Sequence, residues 1–514
     1  MKITKITTVC CLALCFMACS SGNIKEKINI FKTTQRGTTQ PRNIKKPMDN
    51  AYSLLNGKDY PKVENNFGQE VPYLQPVNDT KNQDFFETYD EKKASQFFKN
   101  LKIEGYGSNS MYWRWKTSIS KTSLFQKIAQ RIPQISARGR KNVFVLTNGV
   151  WLNNQKISDV GSVKDIKVLS RGASGVITHL LVETSKGSYL ITKEYNIRRL
   201  LATNGKVFGA RGGSSDYSKT AIADGSPLLP SASLVFEIGM FSVDIYGGGF
   251  GHGSGMIQYG AGDLATNYGF SYKDILNHYY TNASLVDMDT VAGVERNIKV
   301  GLTKPNGSLE HGQIFITGGG KLRVYAEDES FDYTFDPNTE IRITPKAGRL
   351  YVKTKVKEFW TDKKFFVDGG GYYLLVKNLR KAHTSNPRYR GKIQFVPKGN
   401  VLHMISVVDM EDYLKQVVPS EMPRNFGVEA LKVQAVAART YAISDFLKGR
   451  YAALGFHVKD TTESQVYNNQ VENEDANRAI EATRGEILVY QGVPIDAKYS
   501  STSAGFTEAA HRIW

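Results

Sequence analysis

Apolar and polar residues alternate in short runs over most of this chain. "KNVFVLTNGVWL" (141–152), "DIKVLSR" (165–171) and "THLLVETSKGSYLITK" (178–193) each keep a period of two and are separated by turn residues. That period predicts half-buried strands. The texture returns in "NIKVGLTKPNG" (297–307), "KLRVYAED" (321–328), "IRITPKAGRLYVKTK" (341–355) and "YYLLVKNL" (372–379). Other stretches read differently. "SYKDILNHYYT" (271–281) predicts a short helix, as does "MEDYLKQVV" (410–418). "GVEALKVQAVAARTYAISDFLK" (427–448) predicts a longer, alanine-rich helix with Leu431, Val436 and Ile443 among its apolar positions. "EILVYQGVPIDAKYSSTSAG" (486–505) predicts a hairpin turning at Gln491-Gly492. The expected class is α+β, with strands dominating and a helical insert. No short-period repeat is present.

The first seventy residues lack this patterning. Lys2 and Lys5 precede an apolar run from Ile6 to Ala18, so residues 1–18 read as an export signal. The run is too short to span a bilayer well. All four cysteines, Cys10, Cys11, Cys15 and Cys19, lie within the first nineteen residues. "FMACSSGN" resembles a bacterial lipoprotein box with Cys19 as the lipidated residue; the alternative is an ordinary secretory signal. Either way the folded part has no cysteine pair and must be held by its core. Residues 19–70, rich in Lys, Thr, Asn, Gln and Pro, read as a flexible tether. An exported protein, anchored to a membrane by lipid, is expected.

Charge narrows the partners. The formal net charge is +18 over 514 residues, which suits nucleic acid, lipid headgroups or an acidic glycan. The excess is spread thinly and forms no arginine-rich arm, and an exported protein does not meet nucleic acid, so that partner is disfavoured.

Candidate chemistry starts at "VVPSEMPRNFG" (417–427). Pro419 and Pro423 flank Glu421 and restrict their neighbours, which predicts a stiff loop between two helices. A carboxyl in a rigid, semi-apolar setting has its pKa raised and serves as a general acid. The alternative is a capping or surface glutamate. "GGGFGHGSGMIQYGA" (247–261) packs glycines around His252. It has no G-x-G-x-x-G register and no following Gly-Lys-Ser/Thr, so it is not a phosphate loop. His252 has no Cys, His or carboxylate at ligand spacing, so no metal is implied.

Four motifs together carry a family resemblance. "VVPSEMPRNFGVEALKVQAVAARTYA", "DTTESQVYNN" and "DAKYSSTSAGFTEAA" occur in that order, and "GGGFGHGSGMIQYGA" followed by "SYKDILNHYY" joins them. They resemble the SpoIID/LytB family of cell-wall proteins. The resemblance implies a lytic transglycosylase that cleaves denuded peptidoglycan strands between MurNAc and GlcNAc to 1,6-anhydro ends, with Glu421 as acid and then base. The other class it allows is a non-catalytic wall protein that binds glycan and recruits or enhances an amidase. It further implies Arg439, Tyr441, Gln465, Tyr467, Ser500, Ser501, Thr502 and Ser503 as substrate-binding residues, with His252 and Gln258 lining the same cleft. The alternatives are an ion pair inside the fold for Arg439, packing for Gln465 and Tyr467, a polar strand face for Ser500 to Ser503, and a satisfied structural role for His252. No cofactor is implied. Some family members hold zinc near "DTTESQVY"; here Lys459, Glu463 and Ser464 occupy that neighbourhood, so no metal is expected.

The motif order departs from the family. The glycine-histidine motif precedes "PSEMP" here and follows it there, and "VPYL", which the family places after the stretch ending "AAHRIW", is found at 71–74. Residues 71–290 therefore resemble the family's second half and 291–514 its first half. Circular permutation and truncation at Trp514 are the two explanations.

Overall fold

The computed structural model describes residues 69–514, apart from 85–89, 140, 154, 382–383 and 468–470. The export signal, Cys19 and all but the last residues of the tether lie outside the described residues. The class is α+β: strands dominate, and the longest helix is Val428–Lys448.

The first part is built on two antiparallel sheets. One has five strands in the order Val150–Leu152, Val143–Thr147, Gly187–Thr192, Ile177–Thr184 and Val163–Arg171. The other has four: Phe208–Ala210, Arg114–Ser120, Ser242–Gly247 and Leu234–Ile238. Helix α1 (Glu91–Lys99) contacts the second sheet. Helix α2 (Lys121–Ser136) buries Leu124, Ile128, Ile132 and Ile135, a stripe at helical spacing, and Ser120 caps it by accepting from the Ser123 N–H. That stripe belongs to one core with Trp115, Val243 and Ile245 of the four-stranded sheet and Ile177, Leu180 and Val182 of the five-stranded sheet. Burying a side chain of this size is worth roughly 1.5–3 kcal/mol. Helix α3 is Glu194–Leu200.

The glycine motif leads from the strand Ser242–Gly247 into helix α4 (Gln258–Asn267), and α5 (Tyr272–Tyr279) follows with a full Ser271/Asp274 capping box.

Residues 297–409, joined by Val458–Lys459, form two further sheets that pack on one another. The seven-stranded sheet runs Asp332–Phe335, Leu322–Ala326, Phe365–Asp368, Lys392–Lys398, Val401–Asp409, Asn297–Leu302 and Val458–Lys459. The six-stranded sheet runs Glu358–Thr361, Arg349–Lys353, Ile341–Lys346, Ile314–Gly318, Leu374–Val376 and Arg388–Tyr389. Alternation sends Ile341, Ile343, Leu350, Val352, Leu374 and Val376 into the interior.

Helices α6 (Met410–Glu421), α7 (Val428–Lys448) and α8 (Glu474–Ala482) come next, and α9 is Ala510–Ile513. The middle of α7 is buried on all sides, which its alanines permit. The hairpin turns at Gln491 and Gly492, with φ of 51° and 77°, the pair of left-handed residues that a two-residue hairpin turn needs. Two pairings stitch the first and second parts together. Met256–Ile257 pairs in parallel with Tyr499–Ser500, and Ser284–Asp287 pairs antiparallel with Glu486–Val489.

Candidate active site

Glu421 is the last residue of α6, not part of an inter-helix loop as the flanking prolines predicted. Pro419 is accommodated in the final turn. The Ser420 hydroxyl donates back to the Gln416 carbonyl at 2.6 Å, and the Met422 N–H closes on the Val418 carbonyl at 2.9 Å. The helix stops because Met422 precedes Pro423 and is therefore extended, with φ −130° and ψ 127°. The chain then turns through Arg424–Phe426, and the Phe426 ring packs edge-on to Tyr259 at 4.8 Å. Gly262 of α4 gives that ring room: a Cβ there would come 2.8 Å from it. The small residues of "QYGAG" thus let the glycine-motif helix dock against the segment that ends α6.

Three groups hold Glu421. Its Oε1 accepts from the Val466 main-chain N–H at 2.8 Å, and the Tyr499 hydroxyl also bonds the carboxylate. Its own carbonyl accepts from Gln258 Nε2 at 2.9 Å, and the same amide donates to Gln434 Oε1 at 3.1 Å. Behind Tyr499, Gln465 Nε2 bonds the Tyr499 hydroxyl at 3.4 Å and the Ala438 carbonyl at 3.0 Å, while Tyr413 donates to Gln465 Oε1 at 3.0 Å. Desolvation dominates the carboxyl's electrostatics. It pushes the Glu421 pKa up from 4.5 to about 7, against the pull of the Val466 and Tyr499 hydrogen bonds. A carboxyl poised there both gives and takes a proton at neutral pH.

The glycine loop lies along residues 498–504. Phe250 and Thr502 exchange main-chain hydrogen bonds at 2.8 and 3.1 Å, and the Met256 N–H donates to the Lys498 carbonyl at 3.0 Å. At Gly251, with φ 114°, a Cβ would press within 2.7 Å of Ser500 Cβ. The glycines therefore serve backbone-to-backbone approach. His252 Nδ1 accepts from the Ser254 N–H at 3.1 Å, and the ring also bonds the Tyr499 main chain. Burial, reinforced by the charges of Lys498 and Arg198, lowers its pKa to about 3, so the imidazole is neutral at physiological pH. Its ring lies 5.0 Å from that of Trp514.

Several residues expected to bind substrate are held by partners within the fold. Arg439 is fully buried: Nε and Nη2 grip Glu411 at 3.0 and 2.5 Å, and Nη1 bonds the Glu486 carbonyl at 2.9 Å. Tyr467 is fully buried between the rings of Tyr389 and Tyr413. Gln465 is buried and bonds Tyr499, and Gln258 bonds the Glu421 main chain, so both brace the surroundings of Glu421. Thr502 and Ser503 are buried, bonded to Ser110 and Asp79, and the buried Ser500 accepts from the Gly253 N–H. Tyr441 is buried beneath Lys498, whose Nζ lies 4.6 Å from its ring centroid. Ser501 and His252 remain partly exposed. Near "DTTESQVY", Lys459 Nζ and Glu463 Oε2 form an ion pair at 2.7 Å, and Ser464 Oγ accepts from the Lys459 N–H.

Tyr499 was missed. It stands in the "KYSSTS" motif beside the serines, and its signal was the pairing of a partly buried aromatic with a polar strand. Lys498, its neighbour, is likewise partly exposed and holds Asp496 at 3.1 Å.

Residues 398–490 match the family model described as stage II sporulation protein, SpoIID. Stage II sporulation protein D of Bacillus subtilis (strain 168) is 34% identical over 152 residues, covering 27% of this chain and 42% of that protein. Through this segment the chain is similar to the SpoIID/LytB proteins. A second SpoIID/LytB relative, named amidase enhancer, from the same organism, is 33% identical over 190 residues, covering 32% of this chain and 26% of that protein. An uncharacterized protein of Brachyspira hyodysenteriae (strain ATCC 49526 / WA1) is 39% identical over 127 residues, covering 24% of this chain and 34% of that protein. The chain thus spans from about a quarter to two-fifths of the length of these relatives. No solved structure matches it. Within the SpoIID/LytB segment lie Glu421, Gln434 and Val466; Tyr499 and the glycine motif come from outside it.

Proposed function

We propose that this protein is a peptidoglycan lytic transglycosylase with Glu421 as its acid and base. The observation that carries this is the desolvated Glu421 carboxyl, with a pKa near 7, fixed by Val466 and Tyr499. The protonated carboxyl gives its proton to the glycosidic oxygen between MurNAc and GlcNAc, and the C1–O bond breaks. The resulting carboxylate takes the proton of the muramyl C6 hydroxyl as that oxygen closes on C1, leaving a 1,6-anhydro end. One carboxylate is enough because the nucleophile belongs to the substrate, unlike the two-carboxylate hydrolases. Tyr499 positions Glu421 and favours its charged form in the second half of the cycle. Ser501, His252 and Lys498, partly exposed nearby, face the glycan. The protein works at the cell wall, exported and held to a membrane through lipid on Cys19.

Mass spectrometry of stem-free glycan strands tests this. Anhydro-ended fragments are expected from the parent protein and none from Glu421→Gln. Anhydro products from both would remove Glu421 from the chemistry. The name of the amidase-enhancer relative supports a second reading, in which the protein binds glycan and stimulates a wall amidase without cleaving. Intact strands with the parent, together with faster amidase turnover in its presence, would select that reading.

The motif order fits a circular permutation. Main chain near residue 74 runs beside the final helix: the Leu74 carbonyl accepts from the Ala510 N–H at 3.1 Å, and Asn78 bridges to Phe506. Neighbouring segments of this kind are where a chain is readily reconnected. A chain reordered to run 291–514 and then 69–290 through a short linker is expected to fold and keep the parent's activity. Loss of the fold in that chain would refute the permutation.

A further inference from the structure

The outer face of the six-stranded sheet gathers Arg342, Lys346, Arg349, Lys353, Lys377 and Arg388 onto one surface. The inward residues between them are apolar, so alternation puts the cations on one side. Register places Arg342 opposite Lys353 and Lys346 opposite Arg349. Like charges directly opposite each other destabilise a sheet, and an anionic ligand offsets that cost. Among the described residues of this face, Glu358 and Glu340 are the acids; each pairs with a lysine, Lys353 and Lys377, at 2.8 Å. Lys377, with Arg342 and Lys355 adding, holds the Glu340 carboxyl below its ordinary range.

Aromatic rings interleave with these cations. Trp360 is 44% exposed, an unusual setting for a tryptophan, and lies 4.9 Å from the Tyr351 ring with an interplanar angle of 32°. Arg349 lies 5.7 Å from the Trp360 ring and Arg342 5.0 Å from the Phe315 ring. Flat apolar rings suit the C–H faces of pyranose sugars, and arginines beside them suit carboxylates. A bare anion needs only the charge, and an apolar chain only the rings.

We propose that this face is a second glycan-binding surface, distinct from the Glu421 site, whose occupant is a glycan strand carrying a carboxylate at regular intervals. The inference rests on glycan being what the protein acts on. The face lies outside the SpoIID-matched segment, since its strands span 314–389. A second contact on one long strand raises the local concentration of glycan at the Glu421 site and leaves short fragments unaffected.

Binding of stem-free strands is measured with the full chain carrying Glu421→Gln. Adding Trp360→Ala, Arg342→Glu and Arg349→Glu is expected to weaken binding about tenfold. The same three changes with Glu421 present are expected to raise KM for long strands and leave cleavage of a short oligosaccharide at the parent rate. Equal binding by the triple variant overturns the proposal. Equal binding by the parent to strands whose carboxylates have been reduced to alcohols also overturns it. Anionic phospholipid vesicles, captured by the parent more tightly than glycan and released by the triple variant, would assign the face to membrane and overturn it as well. If Glu421→Gln still cleaves, the reading of the active site fails, while the binding comparison stands on its own.

Discussion

Helix α6 carries a glutamate at each end, Glu411 buried and Glu421 half-buried, and the two have opposite fates. At its start Glu411 meets Arg439 bidentately and also accepts from the Gly485 N–H at 3.1 Å. At its end, roughly 15 Å away by helical rise, the Glu421 carboxylate meets, among the described residues, a main-chain N–H and a phenol. Burial with a cationic partner makes Glu411 a structural tie between α6, α7 and the strand at Glu486. Desolvation without one raises the pKa of Glu421 into the neutral range, which suits the proton-carrying role proposed for it. The same residue type on the same helix becomes structural or reactive according to whether a charge of opposite sign was brought to it.

Breaking the reactive end has the largest effect. Glu421→Gln is expected to lower glycan cleavage by about a thousandfold, within the range of a lost general acid, as read by product release, with little change in Tm. The pH dependence of stability follows from the same shift. A carboxyl whose folded pKa is raised stabilises the fold while protonated, and that contribution disappears as pH rises through the folded pKa. Between pH 4.5 and about 7 the parent should therefore lose stability relative to Glu421→Gln, as chemical denaturation at several pH values would read.

Breaking the structural end comes next. Arg439→Met strands Glu411 in the interior and is expected to cost about 3–5 kcal/mol. Pairing it with Glu411→Leu should restore much of that loss, measured by the same denaturation curves. Gly255→Ala probes the join between the two motifs. Its φ of 74° is the left-handed region, and a Cβ would strike the Lys498 carbonyl oxygen, so roughly 1–3 kcal/mol should be lost. The smallest effect sharpens the comparison. The Tyr499 hydroxyl favours the Glu421 carboxylate, so Tyr499→Phe should raise that pKa and move the high-pH decline of kcat upward. A shift downward would show that Tyr499 acts otherwise.

Much of the architecture was legible. The Gln491-Gly492 turn, the helix within 271–281 and the strands of 141–193 follow directly from period and turn chemistry. Helix α2 was readable from the spacing of Leu124, Ile128, Ile132 and Ile135, but Pro133 inside it argues against a helix; it is tolerated in the last turns. Glu421 was legible as a constrained acid through its prolines and motif, while its place on the helix depended on Ser420 back-bonding to Gln416. The packing of Arg439 and Tyr467 was not legible, because their partners Glu411 and Tyr389 are distant in sequence. The cationic sheet face was invisible for a related reason. Its charges are scattered from residue 342 to 388, and only strand register gathers them.

The most direct test is the titration of Glu421 itself, followed by the 13C chemical shift of its side-chain carboxyl with Glu421→Gln used for assignment. A midpoint near pH 7 is predicted. A midpoint at or below the ordinary glutamate value of 4.5 would contradict the contrast between the two ends of α6, and with it the assignment of Glu421 as the proton donor.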